Sequence, residues 1–508
     1  MNSINLDGNS LSLEQCGFYL SNYPVVEISS SAIERMEMSR KVVEKAIATG
    51  ETIYGVNTGF GKLANVRIDN EQLAELQLNL VRSHAAGTGD PFPVDLTRLI
   101  ILLKANALAK GFSGCRPIVA ETIVAILNAG IRPIIPSKGS VGASGDLAPL
   151  AHLALTVIGE GQVIYRGRQV PAAFALHQAD ITPIDLLAKE GLAILNGTQA
   201  SLAYGVDAIL RLRNLIKVAD IIGAMSVEAL KGTDVPFRPE IQAVRGQAGQ
   251  AKSAENLFNL LQESEIHESH RDCGKVQDMY SLRCMPQVHG ASRDALQHAE
   301  MILSRELNAC TDNPIVLPDS NEIISGGNFH AEPVGMVLDL MAVATAELGS
   351  ISERRIASMM DPTMSQMPAF LTDNSGVESG YMIPHVTAAS LVSENKSLAH
   401  PATVDSIPTS ANQEDHVSMA PIAGKKLREI VGNTEQILAI EWLCAAQGLD
   451  YKDGLQPAKA LQPSYKLLRR KITRWTEDRI QHNDIQMATE LLQTGQLTKV
   501  VHQEIQLV

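Results

Sequence analysis

Apolar residues along this chain recur mostly at helical spacing. After Pro117, the positions Ile118, Val119, Thr122, Ile123, Ile126 and Leu127 fall at i, i+1, i+4, i+5, i+8 and i+9, one stripe that Gly130 and Pro133 end. Asp95 is placed to cap a helix through Leu103 towards Gly111. No proline interrupts Gln199 to Leu230, so a long helix is predicted there, closing at Gly232. Past Pro333, the residues Val334, Leu338, Met341 and Leu348 hold helical spacing towards Met360, and further long helices are predicted over 290–309, 379–399 and 420–447.

Strand signals are few. Val163 to Tyr165 and Gln169-Val170 flank Arg166-Gly167, and Ile315 to Leu317 and Glu322 to Ile324 flank Pro318 to Asn321, so two short hairpins are predicted. The fold class is therefore mainly α. A mixed, mostly helical N-terminal domain is predicted over residues 1–195, followed by an elongated helical bundle over 196–508. Long helices with apolar residues on more than one side also predict packing against partner subunits.

Composition narrows the function. The net charge of −13 and the absence of a long basic run argue against nucleic acid as a partner, because phosphates need Lys and Arg to neutralise them. The run from Lys466 to Lys471 reads as one solvated helix face. The six cysteines, Cys16, Cys115, Cys273, Cys284, Cys310 and Cys444, form no C-x-x-C pair and read as free thiols. The first residues lack a basic and an apolar signal region. No run of 18 apolar residues is found, and the candidate near Leu99 is broken by Lys104. The expected compartment is the cytoplasm, with no membrane partner.

The most informative segment is GSVGASGDLAPL, residues 139–150, which leads into an apolar helix through Ala151, Leu153, Leu155 and Ile158. Taken alone, Ala143-Ser144-Gly145 is a flexible turn before a helix capped by Asp146. A nucleophile elbow is excluded because Asp146 stands where G-x-S-x-G needs its last glycine. A P-loop is excluded because Leu63 follows Gly61-Lys62 and Val56 stands five positions before Gly61.

Read with its surroundings, the segment resembles the signature of the aromatic amino-acid ammonia-lyase and aminomutase family. The resemblance implies a prosthetic group, 4-methylidene-imidazol-5-one, formed autocatalytically when the Gly145 nitrogen attacks the Ala143 carbonyl carbon and two waters leave. The residue types suit this chemistry. Glycine tolerates the bend, and the Ser144 hydroxyl departs to leave the methylidene. Ordinary side chains offer no strong carbon electrophile, and one that captures the amine eases its departure.

Further blocks extend the resemblance over nearly the whole chain. YGVNTGFG begins at Tyr54, for which the family implies a base that removes the β-proton. A free phenol has a pKa of ~10, so cationic or dipolar neighbours are expected to lower it. LNGTQ carries Asn196, implied to hydrogen-bond substrate and prosthetic group. Asn196-Gly197-Thr198 is also a glycosylation sequon, but with no signal peptide expected the chain is not expected to meet that machinery. In QDMYSLRC, Arg283 is implied to clamp the substrate carboxylate, supported by Gln277 and Tyr280. GGNFHAEP sets Phe329 against the prosthetic group and Pro333 in the first turn of a helix.

Two residues bear on the substrate. His84, in NLVRSHAAGTG, matches the position at the substrate ring, and Glu414 lies in TSANQEDHVSMAP, where the phenylalanine and tyrosine members show a shorter NQD pattern. A carboxylate can accept from an imidazole N–H, whereas a phenyl ring leaves it without a partner. The pair points to elimination of ammonia from L-histidine to give trans-urocanate, the opening step of histidine breakdown. The family also implies a homotetramer with shared active sites, in which Tyr54 and Ala143-Ser144-Gly145 belong to different chains. No metal is expected, since His267-Glu268-Ser269-His270 is not H-E-x-x-H. The rivals are a tyrosine ammonia-lyase or aminomutase with the same electrophile, and a helical scaffold in which the ring never closes.

Overall fold

The computed structural model describes residues 3–508, and among them helix dominates, with only short strands. The predicted long helices are present as Pro117–Asn128, Gln199–Ala229, Met285–Glu306, Glu332–Met360, Met382–Leu398 and Ala420–Leu449. Both hairpins form: Gln162–Tyr165 pairs antiparallel with Arg168–Pro171, and Ile315–Leu317 with Glu322–Ile324. Two details differ from the sequence expectation. Ile118 is exposed while Val119, Ile123 and Ile126 are fully buried, because the burial stripe starts one residue further along. Asp95 lies inside the first turn of Val94–Ala109, whose N-cap is Pro93, and so helps the helix by its charge near the N-terminus rather than by capping.

The chain divides into two compact units. The first gathers residues 1–207, 300–339 and 401–425, and the second 208–299, 340–400 and 426–508. The first unit holds the glycine-rich loops. There Ser3–Leu6 pairs parallel with Val25–Ile28, and Val94–Ala109, buried along nearly its whole length, packs against Pro117–Asn128. The second unit contains the greater part of the long helices, whose buried faces carry residues such as Trp442, Ile437 and Ile440.

The helix Glu332–Met360 includes an 18-residue window of mean hydropathy 1.6, enough by length and composition to cross a bilayer. Asp339 and Glu347 break its apolar run in the sequence. In the structure 61% of the window is buried within the protein, the behaviour of a core helix. All six cysteines are free thiols, as expected.

Candidate active site

A cavity of about 400 Å³ opens in the first unit, and Tyr54, His84, Ser144, Asn196, Phe329 and Glu414 line its wall. Six residues separated by up to 360 positions in sequence are thus brought to one hollow, of a size that suits a small amino acid.

The turn at Ala143-Ser144-Gly145 is held from both sides. Gly145 pairs with Gly197 in an isolated parallel bridge, and the Asp146 amide donates to the Gly197 carbonyl at 2.7 Å. On the other side the Ser418 hydroxyl donates to the Gly142 carbonyl and the Met419 amide to the Val141 carbonyl. Gly145 has φ +80°, and a Cβ there would stand 2.3 Å from the Gly197 oxygen. Only glycine fits this cradle, and the tight, externally enforced bend is what closure of a five-membered ring from these three residues requires. The residues present fit the prosthetic group. Ser144 also donates to Glu414 Oε1 at 3.2 Å, so its hydroxyl faces the cavity.

Asp146 does not cap the following helix Leu147–Val157. Its carboxylate instead accepts from the Ser201 amide and hydroxyl at 2.7 and 2.9 Å, and burial pushes its pKa up to about 6. The local sequence suggested a cap, but long-range partners took the acceptor.

Asn196 ends the short helix Glu190–Leu195. Its side-chain nitrogen donates to Asp312 Oδ1 at 2.9 Å and to the Asn313 carbonyl at 2.8 Å. Both N–H groups are therefore spent on acceptors, and rotating the amide would set oxygen against oxygen. Its Oδ1 is the part left for the cavity. Behind it, Lys189 pairs with Asp312 at 2.8 Å, and the Lys104 ammonium donates to the Asn196 carbonyl at 2.6 Å. Complete burial lowers the Lys104 pKa to about 8, against the opposing pull of Asp312. Lys104, Lys189 and Asp312 were not singled out in the sequence. The one signal was a lysine inside an otherwise apolar helix, which read as an interruption.

His84 is the last residue of Leu73–His84, and its Nδ1 lies 2.9 Å from the Leu80 carbonyl. A carbonyl only accepts, so Nδ1 carries the proton and Nε2 is left as an acceptor. Burial is the largest influence on His84, lowering its pKa and favouring the neutral ring, while the Leu80 carbonyl and the Glu414 charge pull the other way. Glu414 is held by a hydroxyl donation from Thr409 to Oε2 at 2.9 Å and by reciprocal backbone bonds with the same residue. The intervening Ser410, Ala411 and Asn412 all take positive φ, between 52° and 64°. Three left-handed residues in a row without glycine store strain, and they aim Glu414 inward.

Tyr54 differs from the sequence expectation. Its neighbours within the chain raise its pKa: burial is the largest cause, the Glu414 charge adds to it, and the Gly61 backbone opposes it. The expected separation of Tyr54 from Ala143-Ser144-Gly145 is also corrected, since Tyr54 and Ser144 line one cavity of one chain. Gln277, Tyr280 and Arg283 are the residues that do not join them. They lie in the second unit and do not line the cavity. Tyr280 is 71% exposed, and Arg283 donates to the Asp278 carbonyl and stacks 4.4 Å over the Tyr280 ring.

Comparison with known proteins fits this arrangement. A profile of the aromatic amino acid lyases matches residues 11–470, and the chain belongs to that family. It is 52% identical over 503 residues to the histidine ammonia-lyase of Salmonella typhimurium, covering 99% of each chain. Among solved structures it resembles histidine ammonia-lyase from Trypanosoma cruzi, with TM-score 0.91, 42% identity and coverage of 99% and 95%. It resembles tyrosine aminomutase from Streptomyces globisporus at TM-score 0.93 and 35% identity over the whole of both chains.

Proposed function

We propose that this lyase eliminates ammonia from L-histidine without oxidation, giving trans-urocanate, as a cytoplasmic homotetramer with shared active sites. The observation that carries the reading is the pair of acceptors, His84 Nε2 and the Glu414 carboxylate, that line one cavity. An imidazole ring can donate to such a wall. A phenyl ring offers no N–H, so it leaves His84 Nε2 desolvated and unpaired, at about 1–3 kcal/mol, and gives Glu414 nothing beyond its Thr409 hydroxyl. The identity to histidine ammonia-lyases supports the same choice.

Ala143, Ser144 and Gly145 would supply the methylidene-imidazolone, which provides a carbon electrophile towards the amine; no metal enters the chemistry. Tyr54 is assigned the β-proton, Phe329 packs at the prosthetic group, and the fixed Asn196 Oδ1 accepts an N–H from the substrate amine. Arg283 of a second copy, supported by that copy's Gln277 and Tyr280, would hold the carboxylate. A guanidinium delivered there also opposes the burial and the Glu414 charge that disfavour the Tyr54 phenolate.

The test has two parts. Intact-protein mass should fall short of the translated chain by two waters, and incubation with histidine should give the absorbance of urocanate. Product from tyrosine alone would transfer the assignment to the tyrosine enzymes, and an uncyclised, inactive chain would leave only a scaffold.

A further inference from the structure

A second cluster lies in the first unit. His330, Glu332 and His416 each offer a ligand atom, and the three atoms lie within 4.8 Å of one another. Loops that already serve the cavity bring them there. His330 follows Phe329, and His416 stands two residues beyond Glu414. Glu332 opens the helix Glu332–Met360.

His330 Nε2 lies 3.2 Å from the His416 carbonyl oxygen. That oxygen can only accept, so Nε2 holds the proton and Nδ1 of the neutral ring is a bare lone pair. Nδ1 faces Glu332 Oε2 at 4.0 Å. Glu332 Oε2 is enclosed by protein and has no hydrogen-bond partner. Two lone-pair groups therefore face each other, one of them desolvated and unpaired, which is costly unless positive charge lies between them. The His416 ring completes the triangle, its centroid 5.9 Å from that of His330.

We propose that His330, Glu332 and His416 bind a borderline divalent cation, Zn2+ being the best match, with one coordination position left to water. Two imidazoles and a carboxylate are a zinc donor set. Bonds of about 2.0–2.2 Å put tetrahedral donors roughly 3.4 Å apart, so the side chains close in by about an ångström. The carbonyl bond to the second nitrogen of His330 is the outer support by which metal-bound histidines are oriented. The competing occupant is a proton on His330, but 4.0 Å is long for a charge-assisted hydrogen bond to Glu332. The cation stands outside the elimination chemistry. It ties the segment bearing Phe329 to the segment bearing Glu414.

The whole enzyme, stripped with a chelator and dialysed, is titrated calorimetrically with zinc chloride beside His330→Ala, His416→Ala and Glu332→Gln. One equivalent per chain is expected for the unmodified protein, with binding at least about tenfold weaker in each variant. Hydrogen exchange across residues 409–419 should slow with zinc in the unmodified protein alone. Glu332→Gln keeps the side-chain shape, so loss of fold in an alanine variant does not blunt the test. No stoichiometric site, or undiminished binding in the variants with the metal held by thiols such as the exposed Cys273, overturns the proposal.

Discussion

Single residues carry the polarity of the site. Asn196 presents an acceptor because Asp312 and the Asn313 carbonyl consume its two N–H groups. Replacing Asp312 with Asn removes the fixed acceptor and lets the amide turn. We expect kcat to fall about tenfold, the size of one hydrogen bond to a charged group, with KM little changed. In an Asn196→Ala background the same change should have no further effect, and steady-state kinetics on the four proteins decides it. Lys104 adds a pH signature. Its pKa is about 8 when buried and ordinary when unfolded, so between those values the unfolded chain binds more protons and stability rises with pH. Below pH 8 both states are protonated and the cost of burying the charge is complete. Urea midpoints at pH 8 and 10 should therefore move in favour of the unmodified protein relative to Lys104→Met. None of this polarity could be read from the sequence. The residues lie about 90 to 210 positions apart in the chain, and only folding makes Lys104 a partner of Asn196 instead of a break in an apolar run.

At the scale of elements, the turn Val141–Asp146 works only because other segments grip it. Gly145→Ala would drive a methyl group into the Gly197 backbone, and the protein should retain both waters by mass and lose activity. Ser144→Ala should retain at least the water that carries the Ser144 oxygen and also lose activity, for a different reason: the fold is kept but no side-chain hydroxyl can leave to form the methylidene. Circular dichroism separates the two, since only Gly145→Ala should lower the melting temperature. Helices were legible where apolar spacing met a clear stop, as in Pro117–Asn128, and both hairpins announced their turns. Caps were less legible. Asp146 and Asp95 both had the residue type, but Ser201 claimed the first and Pro93 took the cap position of the second. The strained run Ser410–Asn412 left no trace in the sequence, because non-glycine residues with positive φ are dictated by tertiary context.

At the scale of the molecule, one chain brings Tyr54, His84, Ser144 and Glu414 to one cavity, while Gln277, Tyr280 and Arg283 lie in the other unit. If sites are shared, Ser144→Ala and Arg283→Ala are each inactive alone, and refolding them together restores measurable urocanate production. A mixture that stays inactive, or a monomeric variant with full activity, would refute sharing. A boundary at residue 195 follows chain order, whereas each compact unit draws on three stretches because Gln199–Ala229, Glu332–Met360 and Ala420–Leu449 contain residues of both. The close approach of Gly145 to Gly197 has a last consequence. Each glycine directly follows a residue of the cavity wall, Ser144 in one case and Asn196 in the other. The two segments are riveted back to back, so a disturbance that shifts one must drag its neighbour, and chains folded at rising temperature should lose the two-water mass deficit and histidine binding together.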